Sequence, residues 1–496
     1  MIPKKLYYVL LICFMFICFS GFASATAIDQ TSPAISGDDL SVTTHTIQIK
    51  GVSLRYTATA GTFLIKDEEG KSKANFFFTA YTKDGVKDFS RRPLTFVFNG
   101  GPGSASAWLH MGAVGPRKPL FSNEGFPLDT PWQLVDNEYT LLDVTDIVCL
   151  DPVSTGYSRA VPGEDPKQFH GTFEDVESVG DFIHLYISRN ERWISPKFIL
   201  GESYGTNRAA GLSGYLQGRG AGMYLNGIIL VSCTSLGTRV SPDMGCILDL
   251  PHYTATAWYH KKLPEDLLKK DLNVVIDEAE KFALGEYNLA LIKGNKLPEK
   301  EKADIVNKLA KYTGLTPQYI INSNLRISVE RFRKELLRNE HRTVGRLDSR
   351  YKGIDKDSAG ESYEYDPANA AIYGPIPTLF NHYIKTELKY KNDITYAISG
   401  SVRPWNRSNE NLAEILRKEM NKNKYLNVFL ASGYYDGCTR YFRSDYLFSH
   451  FGLNGEFKDR FKTGYYEAGH MMYIREKSHQ KLKEDLVKFY KKAVGY

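Results

Sequence analysis

Gly201-Glu202-Ser203-Tyr204-Gly205 is the stretch that decides how the rest of this chain is read. It has the form G-x-S-x-G. Lys197-Phe198-Ile199-Leu200 ahead of it is an apolar run suited to a buried strand, and Thr206 to Gln217, with Ala209, Ala210 and Leu212, suits a helix. A serine on a sharp strand-to-helix turn stands clear of the backbone, with its hydroxyl open to a base and a substrate. The five residues alone would also fit an ordinary glycine-rich turn. The strand before and the helix after favour the nucleophile.

Two further segments belong with it. Asn99-Gly100-Gly101-Pro102-Gly103-Ser104-Ala105-Ser106 follows the apolar run Leu94-Thr95-Phe96-Val97-Phe98. Glycines let a backbone turn tightly and present N–H groups unobstructed. Acyl transfer needs two such donors aimed at the developing oxyanion. Gly101 and Tyr204 are the expected pair. Near the C-terminus, Val428-Phe429-Leu430 reads as a strand, with Ala431 to Gly437 as its turn. Phe461-Lys462-Thr463 reads as a short strand leading to Glu467-Ala468-Gly469-His470.

The chain thus offers Ser203, then Asp436, then His470, the order of α/β-hydrolases. Ser203 is a weak nucleophile until a base takes its proton. His470 titrates near neutrality and can accept and return that proton. Asp436 would fix the tautomer of His470 and stabilise its imidazolium. His450 reads as a helix-end or packing histidine and His479 as a solvated one. Asp445 lacks the strand-then-turn setting of Asp436.

With these pieces in view the chain resembles the serine carboxypeptidases. The matching segments are Asn99-Gly100-Gly101-Pro102-Gly103, Asp151-Pro152-Val153-Ser154-Thr155-Gly156-Tyr157-Ser158, Gly201 to Gly205, and Gly469-His470-Met471. The resemblance implies an α/β-hydrolase fold, a Ser203–Asp436–His470 triad and an oxyanion hole from the N–H groups of Gly101 and Tyr204. It implies that Asn99, Gly100 and Glu202 hold the terminal carboxylate of a peptide substrate. Two departures stand out. Ser104-Ala105-Ser106 replaces the family's Cys-Ser-Ser, which removes a disulfide, and Ala113 occupies the place of a second carboxylate-binding glutamate. This pattern is similar to a bacterial branch of the family.

The N-terminus reads as a secretory signal. Lys4 and Lys5 precede the apolar stretch Leu6 to Phe22, and Ala23-Ser24-Ala25 and Ala25-Thr26-Ala27 offer small-residue cleavage sites. The expectation is an exported protein, periplasmic or extracellular, without membrane attachment once residues 1–27 are removed. The formal net charge is +6, or +4 without Lys4 and Lys5. With no outstanding basic run, that argues against a nucleic-acid partner. An oxidising compartment permits disulfides. Cys233 and Cys246 are the expected pair, while Cys149, in an apolar strand, reads as buried and free. Cys438 falls near the site. No Cys/His spacing suggests a metal, and no cofactor is expected.

Alternating segments between residues 28 and 92, such as Thr44 to Ile49, Leu54 to Ala58 and Asn75 to Tyr81, read as antiparallel strands. From Leu94 to Val231 strands alternate with helices, as in a parallel sheet. From about Pro264 to Arg350 the chain turns rich in Lys, Glu, Leu and Ala. It reads there as amphipathic helices, clearest over Glu265–Phe282 and Glu299–Lys311. The expected organisation is a hydrolase core over 28–250 and 381–496, interrupted by a helical insertion or cap over 251–380. The function expected is hydrolysis of C-terminal residues from peptides with a free C-terminus, through an acyl-enzyme. An acyltransferase or esterase on the same scaffold is the alternative. An inactive binding protein is a third reading, which the intact Ser203, Asp436 and His470 disfavour.

Overall fold

In a strand, successive side chains point to opposite faces, so a strand buried on both faces reads as a continuous apolar run. Five such runs form the centre of the computed structural model, which describes residues 38–218, 220–407, 411–452, 455 and 457–495. The expected signal segment lies outside these residues. Nine strands carry labels here: β1 (Asp39–Ile49), β2 (Val52–Lys66), β3 (Ser72–Lys83), β4 (Leu94–Phe98), β5 (Asp146–Leu150), β6 (Lys197–Glu202), β7 (Gly227–Val231), β8 (Asn427–Gly433) and β9 (Phe461–Tyr466). They lie in the order β1-β2-β3-β5-β4-β6-β7-β8-β9, and a short tenth strand, Arg159–Ala160, pairs with β3. Pairing is antiparallel from β1 through to β5 and parallel from β5 to β9. This is an α/β-hydrolase sheet with antiparallel strands at its N-terminal edge.

The alternation fixes both cores. Ile228 and Leu230 of β7 face one side, with Ile199, Phe96 and Leu430, under the helices α1 (Thr172–Arg189) and α2 (Tyr204–Gln217). Ile229 and Val231 face the other side, with Leu200, Val97 and Ala431, against Leu482, Leu486 and Phe489 of the C-terminal helix Glu476–Val494.

Much of the segment expected as an insertion gathers round a separate apolar cluster, which begins ahead of residue 251 and includes Leu250, Tyr253, Val275, Leu309 and Phe332. Its first long helix, α3 (Pro242–Tyr259), carries Pro251 internally and runs across residue 250. The amphipathic stretch expected over Glu265–Phe282 is two helices, Glu265–Leu268 and Leu272–Phe282. The helix expected to end at Lys311 runs to Thr313, where Gly314 takes a left-handed conformation and ends it.

The expected Cys233–Cys246 disulfide is not formed. All four described cysteines are free. Cys233 is buried just past β7 in the core beneath α1 and α2, whereas Cys246 packs from α3 against the insertion core. Closeness in sequence therefore did not bring the two thiols together; they pack on different cores.

Candidate active site

Every candidate residue lies at or beyond the C-terminal end of a parallel strand, where ligand sites of open α/β sheets form. β6 lies between β4 and β7, with Phe98 opposite Gly201 and Val231 opposite Glu202. Asn99, leaving β4, therefore sits beside Glu202 and Ser203, leaving β6. Asp436 follows β8, and His470 follows β9, its neighbour.

Ser203 has φ 58° and ψ −125°, between β6 and α2. Such a backbone is strained for a non-glycine residue, and it turns the side chain out of the chain's path. The serine N–H donates to the Val231 carbonyl at 3.0 Å, which pins the turn to β7. Gly100 packs directly on this turn: a Cβ there would lie 2.3 Å from the Tyr204 nitrogen and 2.6 Å from that of Gly205. Only glycine allows that approach. Tyr204 is the first helical residue, so its N–H lacks an intrahelical acceptor. Ser203, Gly101 and Tyr204 line one cleft of about 560 Å³.

His470 and Asp436 are joined, with Nδ1 of the imidazole 2.8 Å from Asp436 Oδ2. The Cys438 and Thr439 N–H groups donate to Asp436 Oδ1 at 2.8 and 2.9 Å, and the Thr439 hydroxyl donates to Oδ2. Asp436 is fully buried. Burial alone would raise its pKa, but the His470 charge, its hydrogen bond and those of Thr439 hold the carboxyl below the usual range. Burial would lower His470, and the adjacent Asp436 carboxylate outweighs it, raising the imidazole to about 9.

Asn99 and Glu202 also meet. Asn99 Nδ2 donates to Glu202 Oε1 at 3.0 Å, and Asn99 Oδ1 accepts the Leu109 N–H at 2.9 Å. The second partner of Glu202 is Tyr473, whose hydroxyl donates to Oε2 at 2.7 Å. Burial pushes Glu202 up to about 7, against the opposing pull of His470 and of the Tyr473 and Asn99 hydrogen bonds, with Asp436 adding to the rise. Ala113 is buried, and the Tyr473 ring lies against the adjacent Gly112, where a Cβ would approach Cε2 to 2.3 Å.

Residues 347–349, within the expected insertion, grip the loops that carry Asp436 and His470. The His470 N–H donates to the Leu347 carbonyl at 2.6 Å, the Gly469 N–H to Asp348 Oδ2 at 3.1 Å, and the Ser349 N–H to the Tyr435 carbonyl at 2.9 Å. Asp348 is itself held by Arg350, whose Nη2 donates to Oδ2 at 2.6 Å. Arg333, from the insertion, donates to the Gly437 carbonyl. Nothing in the sequence of 346–350 signals this role, because the contacts join segments more than eighty residues apart.

Four further side chains take no part in the His470–Asp436 pair. Arg117, close in sequence to Ala113 and with a guanidinium that could pair with a carboxylate, is engaged elsewhere: it donates to Asp136 and, at 3.0 Å, to Glu387. His479 is not solvated. It is buried on the inner face of its helix with Nε2 2.9 Å from the Ala113 carbonyl, and burial lowers it to about 3. Asp445 lies on a helix and is raised to about 7 by burial, opposed by a hydrogen bond from Tyr465. His450 is an exposed helix-end residue with Nδ1 2.7 Å from the Tyr446 carbonyl. Among the described residues no cluster of three or more His, Cys, Asp or Glu could hold a metal ion.

The family model of serine carboxypeptidases matches residues 56–488. The pheromone-processing carboxypeptidase KEX1 of Saccharomyces cerevisiae is 30% identical over 145 residues, which are 28% of this chain and 19% of that protein. The solved structure of KEX1(delta)p, a prohormone-processing carboxypeptidase from the same yeast, aligns with a TM-score of 0.53 at 14% identity. That alignment covers 88% of this chain and 91% of the other, a likeness of fold.

Proposed function

This chain belongs to the serine carboxypeptidase family, and from that premise we propose that it removes C-terminal residues from peptides using Ser203, His470 and Asp436. His470 takes the Ser203 proton as Oγ bonds to the scissile carbonyl carbon. The N–H groups of Gly101 and Tyr204 receive the oxyanion. His470 passes the proton to the leaving nitrogen, the C–N bond breaks, and the departing residue leaves as a free amine. Water then repeats the sequence on the Ser203 ester, with His470 again taking and returning a proton, and releases the shortened peptide.

The observation that carries this reading is the 2.8 Å His470–Asp436 pair, carried on the loops two and three strands over from the strained Ser203 turn and near enough to the buried Glu202 to interact with its charge. Asn99, the Gly100 N–H and protonated Glu202 would hold the substrate's terminal carboxylate. Protonation near neutrality supports that role, since an ionised Glu202 would repel the substrate. The leader-like N-terminus supports an exported enzyme. No helix among the described residues is long and apolar enough to cross a membrane.

The test compares a blocked dipeptide with its C-terminal amide. The free acid is expected to be cleaved far faster. Equal rates would remove carboxylate recognition and leave the esterase or acyltransferase reading.

A further inference from the structure

The cleft beside Ser203 is lined by four arginines, Arg239, Arg407, Arg440 and Arg443, and among the described residues by no carboxylate. Arg440 and Arg443 share one counter-ion. Their Nε atoms both donate to Asp249 Oδ1, at 2.8 and 2.6 Å, and Arg443 Nη2 donates to Oδ2 at 2.8 Å. One carboxylate against two guanidiniums leaves a positive charge. Arg239 and Arg407 are exposed on the cleft wall and form no ion pair among the described residues. Beside them the Tyr204 and Trp405 rings meet edge to face, 5.4 Å between centroids. The cleft therefore combines an apolar wall with unneutralised cationic donors.

Its position says which part of a substrate enters. The lining contains Ser203, Gly101 and Tyr204 but neither Asn99 nor Glu202. On the carboxypeptidase reading, which this inference rests on, Asn99 and Glu202 take the departing residue. The cleft is left for the residue whose carbonyl Ser203 attacks. Guanidinium groups bind carboxylates with paired hydrogen bonds, and a cleft of one sign of charge concentrates ligands of the other.

We propose that this cleft is the acyl-residue subsite and that Arg239 and Arg407 make it selective for peptides with Asp or Glu next to the C-terminal residue. The Arg440–Arg443 pair adds to the same field, and the Tyr204 and Trp405 rings cover the side chain's methylenes.

The test uses the full chain and matched pairs: blocked Glu-Leu against blocked Gln-Leu, and the ethyl esters of blocked Glu and blocked Gln. Glutamate should exceed glutamine by about tenfold in kcat/KM in both pairs, since a charge-assisted hydrogen bond is worth about that factor. The ratio should shrink as salt is added. An R239Q/R407Q double variant should bring it near one. Equal rates for Glu and Gln in the unaltered enzyme, with dipeptides still cleaved, would overturn this inference and leave the peptidase reading standing. Cleavage of esters but of no dipeptide would overturn the peptidase reading, and the ester ratio would still decide the subsite. A preference that survives the double variant would overturn the assignment to Arg239 and Arg407. The salt series needs no variant, so a variant that misfolds does not spoil the test.

Discussion

The Tyr473 hydroxyl donates to Glu202 Oε2 at 2.7 Å. A neutral phenol thus stands where the family resemblance leads one to expect a second carboxylate beside Glu202. The two partners act in opposite senses: a like charge would raise the Glu202 pKa, whereas a donated hydrogen bond lowers it. Burial leaves Glu202 at about 7 despite Tyr473. This relationship makes Tyr473 a positioning residue with a measurable signature.

Tyr473→Phe keeps the ring against Gly112 and removes the donor. Glu202 then holds its proton more tightly. At pH values where Glu202 is mostly ionised, the rate on blocked dipeptides relative to blocked amino-acid esters should rise by about tenfold to a hundredfold, because a hydrogen bond to a charged group is worth about 1.5–3 kcal/mol. An unchanged ratio would mean that Tyr473 only packs.

The pH profiles of peptides and esters should differ in shape. Peptide cleavage needs Glu202 protonated and His470 neutral. The pair shares its protons in two macroscopic steps, near 7 and near 9 from the shifts of Glu202 and His470. The productive form holds one proton, so peptide kcat/KM should be a bell between those steps. Esters without a carboxylate need only neutral His470, so their rate should rise with pH and stay high. Glu202→Gln, a donor at any pH, should abolish the alkaline fall for peptides. A bell for both substrate classes would refute this coupling.

Ser203→Ala should lose nearly all turnover on peptides and esters, keeping about 10³–10⁴-fold acceleration over water from binding and the oxyanion donors. A fluorophosphonate probe should label the unaltered chain and not the variant. Labelling that persists would place the nucleophile elsewhere.

Gly469→Ala tests the grip of the insertion on His470. The added methyl would lie 2.4 Å from Asp348 Cβ and 2.4 Å from the Leu347 carbonyl oxygen, so His470 must shift. A displacement of that size costs about a hundredfold in kcat. The loss should fall on esters and peptides alike, with KM little changed. Normal kcat in a folded variant would show that the strap at 346–350 does not set the imidazole.

Acid should destabilise the protein through its buried neutral histidines. Burial lowers His110, His252 and His479 to about 3, 4 and 3. Their folded values lie below the unfolded value near 6.5. Their contribution is therefore present above pH 6.5 and is lost as pH falls toward 4 and 3, at about 1.4 kcal/mol per pH unit for each. His470 runs the other way: raised to about 9, it contributes below 6.5 and loses that contribution as pH rises through 9. Urea titrations of His479→Gln between pH 6.5 and 4.5 should show a slope shallower by about 1.4 kcal/mol per unit. An unchanged slope would mean that His479 is protonated in the native state.

Local patterns carried the parts of this protein that depend on local physics. Continuous apolar runs marked strands buried on both faces, glycines marked the turns at Gly100 and around Ser203, and the local settings of Asp436 and His470 set them apart from their competitors. These follow from backbone sterics and side-chain alternation, which a short window contains. Packing decided the rest. Cys233 and Cys246, close in sequence, face separate cores and stay free. His479, in a charged helix, turns inward because its neighbours three and four residues away, Leu482 and Lys483, lie on the buried face. Tyr473 reaches Glu202, and Asp348 reaches Gly469, across intervals that no window spans. Side-chain pairing over such distances is fixed only when the sheet order and the insertion bring remote segments together, so only the tertiary structure could decide it.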